Sequence, residues 1–139
     1  TRDFTPTQEQ QALKAFVGFR NWFDKANFKV LASEFALVNE ELRVGGTVDC
    51  LGKIDDELVI VDWKTSKGGP YPEMMIQLGA YTLMYEAAQP KADVKYGVIM
   101  RFGKEDGKFH KHVISREKLD AGAQAFRHLC ALYNLRRKF

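Results

Sequence analysis

The chain has 139 residues, 45% hydrophobic and 12% aromatic, and its 21 Lys and Arg against 18 Asp and Glu leave a net charge of +3. That length suits one domain, within the usual range of about 100–200 residues, and carries enough apolar material to bury a core without staples. The mild charge excludes a polybasic tail and an acidic solvating segment. Two cysteines, Cys50 and Cys130, exclude a disulfide framework and a four-cysteine metal or iron–sulfur site.

A reducing, cytoplasmic setting is the expectation from that cysteine count. No apolar run approaches the roughly 20 residues needed to span a bilayer, and no signal-peptide stretch opens the chain. A soluble chain is therefore expected, and the lack of an initiating Met predicts trimming ahead of Thr1.

In chain order, Thr7 with Gln10 reads as a capping box. Ala12, Leu13, Phe16, Val17, Phe19 and Phe23 recur at helical spacing, which predicts a helix over 7–26 packing one face on a sheet. Short alternating or apolar runs at 29–38, 42–54 and 57–64, with turns at Asn39-Glu40-Glu41 and Asp55-Asp56, predict a three-strand meander. Pro72 suits a first helical turn, and Met74, Gln77, Leu78, Tyr81, Met84, Tyr85 and Ala88 make one helical face before Gln89-Pro90 ends it. Strands follow at 94–102 and 109–114, joined by a charged turn. Ser115 then caps a last helix whose buried side is read as Leu119, Ala123, Phe126, Leu129, Cys130 and Tyr133. With no repeat or linker, a single domain is expected over 1–139.

The hairpin over 45–64 carries the chemistry, because its register follows from counting. A turn centred on Asp55-Asp56 makes opposed residues sum to 111, which sets Asp49 opposite Asp62. Residues two apart share a face, so Lys64 joins them while Val59, Val61 and Trp63 point away. Two ionised carboxylates about 5 Å apart repel by roughly 3 kcal/mol at an effective dielectric near 20. A proton, a lysine or a divalent cation must offset that. Asp oxygens are hard ligands suited to Mg²⁺ or Mn²⁺. The apolar run Leu58-Val59-Ile60-Val61 places these charges at the end of a core strand, and Gln77 on the following helix needs polar partners.

Gly46-Thr47-Val48-Asp49, Asp62-Trp63-Lys64-Thr65 and Gln77-Leu78-Gly79-Ala80-Tyr81 resemble the G-x-x-D, D-x-K-T and Q-x-x-x-Y motifs of the RecB-type exonucleases of the PD-(D/E)XK nuclease superfamily, in the family's order. The resemblance spans about 34–85. It implies an α/β, restriction-endonuclease-like core, a central mixed sheet of about five strands flanked by helices. It also implies a metal-dependent deoxyribonuclease using Mg²⁺ or Mn²⁺, with DNA as its partner. By position, Asp49 and Asp62 would hold the metal, the Trp63 carbonyl would be a further ligand, and Lys64 would position or activate the attacking water. Glu34 resembles the acidic residue often placed ahead of G-x-x-D, and Gln77 and Tyr81 would contact DNA or brace the catalytic strand.

The chain departs from the family in having no His before His110, where many RecB-type enzymes carry one near the metal. Two cysteines exclude the iron–sulfur branch. Cys50 and Cys130 are read as core, and His110 with His112 as an exposed strand face. Gly68-Gly69-Pro70 is read as a loop in which Lys67 meets a phosphate, and Arg136-Arg137-Lys138 as a basic end that contacts DNA or solvent. Exonuclease action in recombination, repair or phage DNA processing is the leading expectation. A structure-specific or restriction-like endonuclease and a silent nucleic-acid-binding module are the alternatives. So small a chain is also expected to use self-association or a partner protein for processivity. The charge is asymmetric: residues 1–62 hold 7 basic and 11 acidic residues, and 63–139 hold 14 and 7. The acidic part contains the candidate metal ligands and the basic part the lysines that would meet phosphate.

Overall fold

The computed structural model describes residues 5–66, 68–103 and 107–139. In chain order the elements are α1 (Pro6–Lys25), β1 (Phe28–Asn39), β2 (Val44–Ile54), β3 (Glu57–Ser66), α2 (Pro72–Ala88), β4 (Tyr96–Gly103), β5 (Phe109–Ser115) and α3 (Arg116–Arg136). The five strands form one sheet in the order β1-β2-β3-β4-β5. All neighbours are antiparallel except β3 and β4, which run parallel and are joined through α2, the long crossover that a parallel pair needs.

The β2–β3 register is the counted one, with Ile54 opposite Glu57 and Cys50 opposite Val61. Asp55 and Asp56 both adopt positive φ, 51° and 64°, the conformation a two-residue hairpin turn demands and Asp tolerates. Alternation along β3 then divides the core. Val59 and Val61 join Cys50, Val98 and Met100 on the face covered by α1, where Phe19 meets Trp63, Phe102 and Phe109 edge-on at 5.3–6.1 Å. Ile60 points the other way, packing with Leu78, Ile99 and Leu119 under α2 and α3.

The helical faces differ from those read in the sequence. α1 begins at Pro6, so Thr7 lies inside its first turn and is not the cap. Its packed stripe is Ala15, Phe19 and Trp22, at i, i+4 and i+7, whereas Leu13, Phe16 and Val17 are about half exposed or more. The aromatic cluster on the sheet selects the ring-bearing stripe over the aliphatic one. The side chain of Ala12, and Lys67 with its expected phosphate contact, lie outside the described residues.

On α2 the expected face is seated on the sheet, but Gly79, Ala80 and Thr82 are buried too. α3 crosses behind them, so α2 is covered on two sides. Gly79 and Gly122 make that crossing: a Cβ at Gly79 would land on the α3 backbone at Leu119, Gly122 and Ala123, and one at Gly122 on Met75. α3 starts at the predicted cap, where the Lys118 N–H donates to Ser115 Oγ. Beyond the crossing it outruns its support, so Leu129 and Tyr133 are exposed and Cys130 is half-buried, against the expectation of core.

Candidate active site

Past Cys50 opposite Val61 the β2–β3 ladder stops. Bonded pairs alternate in an antiparallel ladder, so Trp63 would next exchange hydrogen bonds with Val48. Instead the Trp63 N–H donates to Asp49 Oδ2 at 2.9 Å. A side chain has replaced a backbone carbonyl, and the two strands part at the step where Asp49 and Asp62 meet.

Asp62 stands in that gap, 3% exposed. Its Oδ2 is buried without a hydrogen bond, although Lys64 Nζ lies at ion-pair distance, 3.0 Å. The hydrogen bond of Lys64 goes elsewhere, to Gln77 Oε1 at 2.7 Å. The same amide donates from Nε2 to the Tyr81 hydroxyl at 3.1 Å. A continuous polar line therefore runs from Asp62 through Lys64 and Gln77 to Tyr81, joining the motif residues of β3 and α2. Burial pushes the Asp62 carboxyl up to about 6; Asp49 adds to the rise and Lys64 opposes it. The rise is mainly the cost of burial, and the neighbouring Asp49 carboxylate and the opposing Lys64 ammonium act on it from either side.

Gly46 has a steric reason to be glycine. A Cβ there would lie 2.8 Å from the Tyr81 ring, so the small residue lets Tyr81 reach over β2 and hold Gln77. Glu34 is brought alongside but not in. Register puts it on the same step as Asp49, between the pairs Ser33–Cys50 and Phe35–Val48, yet it is exposed, with φ of 47°, an uncommon backbone state for a non-glycine residue. Among the described residues no group of three His, Cys, Asp or Glu side chains is arranged to hold a metal. Two carboxylates with an orphaned, buried oxygen between charged neighbours are nevertheless a donor set that fits a hard divalent cation.

His110 and His112 are half-buried rather than exposed. Their rings stack at 6.2 Å, and His112 Nε2 accepts from Arg101 Nε at 3.3 Å. Burial first, then Arg101 and His110, lowers the His112 pKa. Beside the Lys64–Gln77–Tyr81 line opens a groove of about 720 Å³, lined also by Tyr71 and by Phe126 and Leu129 of α3. Sequence reasoning had assigned Phe126 and Leu129 to core. No local pattern distinguishes core from groove lining when the opposing helix comes from a separate stretch of the chain.

A family model described as the PD-(D/E)XK nuclease superfamily matches residues 2–138. No curated protein matches the chain. Among solved structures it is similar to one described as "Crystal structure of SSO0001", at 14% identity and a TM-score of 0.47; the match covers 90% of this chain and 62% of that one. The chain thus spans less than two thirds of that relative's length. A five-stranded mixed sheet flanked by three helices is the restriction-endonuclease-like α/β architecture that the motifs implied. With the match running over nearly the whole sequence, and the G-x-x-D, D-x-K and Q-x-x-x-Y residues gathered at one parted strand end, the chain belongs to the PD-(D/E)XK nuclease superfamily.

Proposed function

We propose that this chain is a divalent-metal-dependent deoxyribonuclease that hydrolyses phosphodiester bonds, acting from DNA ends as a RecB-type exonuclease in recombination, repair or phage DNA processing. The observation that carries the reading is Asp62 Oδ2, a buried carboxylate oxygen without a hydrogen bond, set beside Asp49 and Lys64. Asp49 and Asp62 would hold Mg²⁺ or Mn²⁺, with the Trp63 carbonyl as a further donor and Glu34 as an acidic neighbour from β1. When bound, such an ion lowers the pKa of water and stabilises charge developing on a phosphate.

The remaining work belongs to the chain. Lys64 presents an ammonium beside the carboxylates, where it orients a water or a phosphate oxygen. Gln77 fixes that ammonium, and Tyr81 fixes Gln77. The RecB-type motif set supports action at ends. Digestion of end-labelled linear DNA and of closed circles, with Mg²⁺, Mn²⁺ or chelator, tests the reading. Metal-dependent release of nucleotides from linear DNA alone is expected. Undiminished cleavage in chelator sinks the mechanism, and rapid cleavage of closed circles replaces the exonuclease with an endonuclease.

A further inference from the structure

We infer that Arg101, His110 and His112 form a separate anion subsite, which takes a backbone phosphate neighbouring the scissile one on the same DNA strand. The inference rests on the nuclease reading above and adds to it the direction in which the bound strand leaves the metal site, across β4 toward β5.

Register places the three side chains. Asp62 pairs with Ile99 and Lys64 with Arg101 across β3 and β4. Ile99 pairs in turn with His112, and Arg101 with His110, across β4 and β5. Laterally paired residues project from one face of a sheet, and Ile99 packs with Leu78 and Leu119 under α2 and α3. Arg101, His110 and His112 therefore stand on the face of the candidate site, in the same two rows as Asp62 and Lys64. β5 is two strands from β3, about 10 Å at the usual spacing of about 4.8 Å between strands. An anion held there is a neighbour of the scissile phosphate and not that phosphate.

Charge and hydrogen bonding indicate the ligand. The candidate metal-binding carboxylates Glu34, Asp49 and Asp62 belong to β1, β2 and β3, whereas β4 and β5 contain no Asp or Glu. The loop between β4 and β5 carries Lys104, Glu105 and Asp106, which lie outside the described residues. Arg101 is 8% exposed, and its Nε donates to His112 Nε2 at 3.3 Å, which fixes the guanidinium. The half-buried His110 and His112 rings lie nearly parallel, at 14°. Burial first, then Arg101 and His110, lowers the His112 pKa, so this imidazole is neutral at pH 7. Accepting at Nε2, it carries its proton on Nδ1. The cluster thus presents one oriented cation with an imidazole N–H donor beside it, a set that matches the oxygens of a phosphodiester.

Fluorescence polarisation in chelator tests this with the full chain and a labelled linear duplex that has one overhanging end. The linkages of that end are replaced one at a time by an uncharged methylphosphonate. At one linkage the replacement is expected to weaken binding at least about 10-fold, the effect of losing a hydrogen-bonded charged group. His110→Ala, His112→Ala and Arg101→Gln should each bind the charged and uncharged forms of that linkage alike, with the circular dichroism of the two histidine variants unchanged. Lys64→Ala should keep the difference there. The inference is overturned if no linkage shows such a loss, or if only Lys64→Ala removes it. It is overturned equally if the histidine and arginine variants weaken binding of every DNA but keep the difference, as they would were the cluster merely an anchor for the β4–β5 loop. Binding of none of these DNAs would instead overturn the nucleic-acid reading, and this one with it.

Discussion

Asp62, which the proposed site needs, is costly to the fold. Its carboxyl is buried on a core strand, and burial holds its pKa near 6, so the ionised form is disfavoured by the fold that carries it. Asp62→Asn keeps the shape and removes the charge. The variant is expected to melt at the same or a higher temperature in chelator, while cleavage in Mg²⁺ falls by at least about 100-fold, the scale set by losing one charge-stabilising group. A clear drop in melting temperature would place Asp62 among the structural carboxylates. Cys50 lies one residue past Asp49 on the opposite face, where burial, with Asp49 adding, pushes its thiol up to about 11. At pH 8 one thiol, that of half-buried Cys130, should react with a chromogenic disulfide in the native chain, and two after unfolding; two in the native state would refute this. Asp49, Asp62 and Lys64 were legible because strand period and hairpin register are local rules. The Trp63 N–H on Asp49 and the clearance at Gly46 were not, since both depend on how β2 parts from β3 and how α2 settles over it.

At the scale of elements, α2 and α3 meet backbone to backbone through Gly79 and Gly122. Gly79 stands inside the Q-x-x-x-Y motif, so the helix that orients Lys64 is also the one α3 must approach closely. Gly79→Ala should destabilise the chain by at least about 1–3 kcal/mol through overpacking, read from a urea titration; an unchanged midpoint would show that the crossing can open. The far end of the same helix pair is clipped by Arg116, whose guanidinium takes both oxygens of Glu86 at 2.6 and 2.7 Å. Arg116 Nη1 also donates to the Val94 carbonyl, and Glu86 accepts the Val94 N–H. The Arg116 hydrogen bonds hold the Glu86 carboxyl below its ordinary pKa. The clip's stability is therefore complete above that ordinary value, about 4.3. It declines as pH falls, because the unfolded chain takes up the proton first. Glu86→Gln should lower stability at pH 7 by about 1 kcal/mol, a partly exposed pair being screened, and should flatten the loss between pH 5 and 3. Equal slopes would sink the linkage. No sequence rule pairs residues 30 apart on different helices, so this clip was not foreseen.

For the whole molecule, the order helix, three strands, helix, two strands, helix was readable, and the parallel β3–β4 pair follows from a helix joining two strands of one sheet. Exposure of the helical faces was less so. α1 carries apolar residues around much of its circumference, and only the ring cluster on the sheet decides which stripe docks. α3 has an apolar periodicity that continues past the end of anything it packs on. The sheet separates an aromatic face from the face with the candidate site, and the two meet in Trp63. Its indole is anchored against Phe19 of α1, while its N–H is held by Asp49. The ring contact with α1 and the hydrogen bond to the candidate ligand Asp49 thus act on one residue from opposite sides of the sheet, so a substitution that loosens α1 is expected to disturb the Asp49 carboxylate although the helix lies behind the sheet.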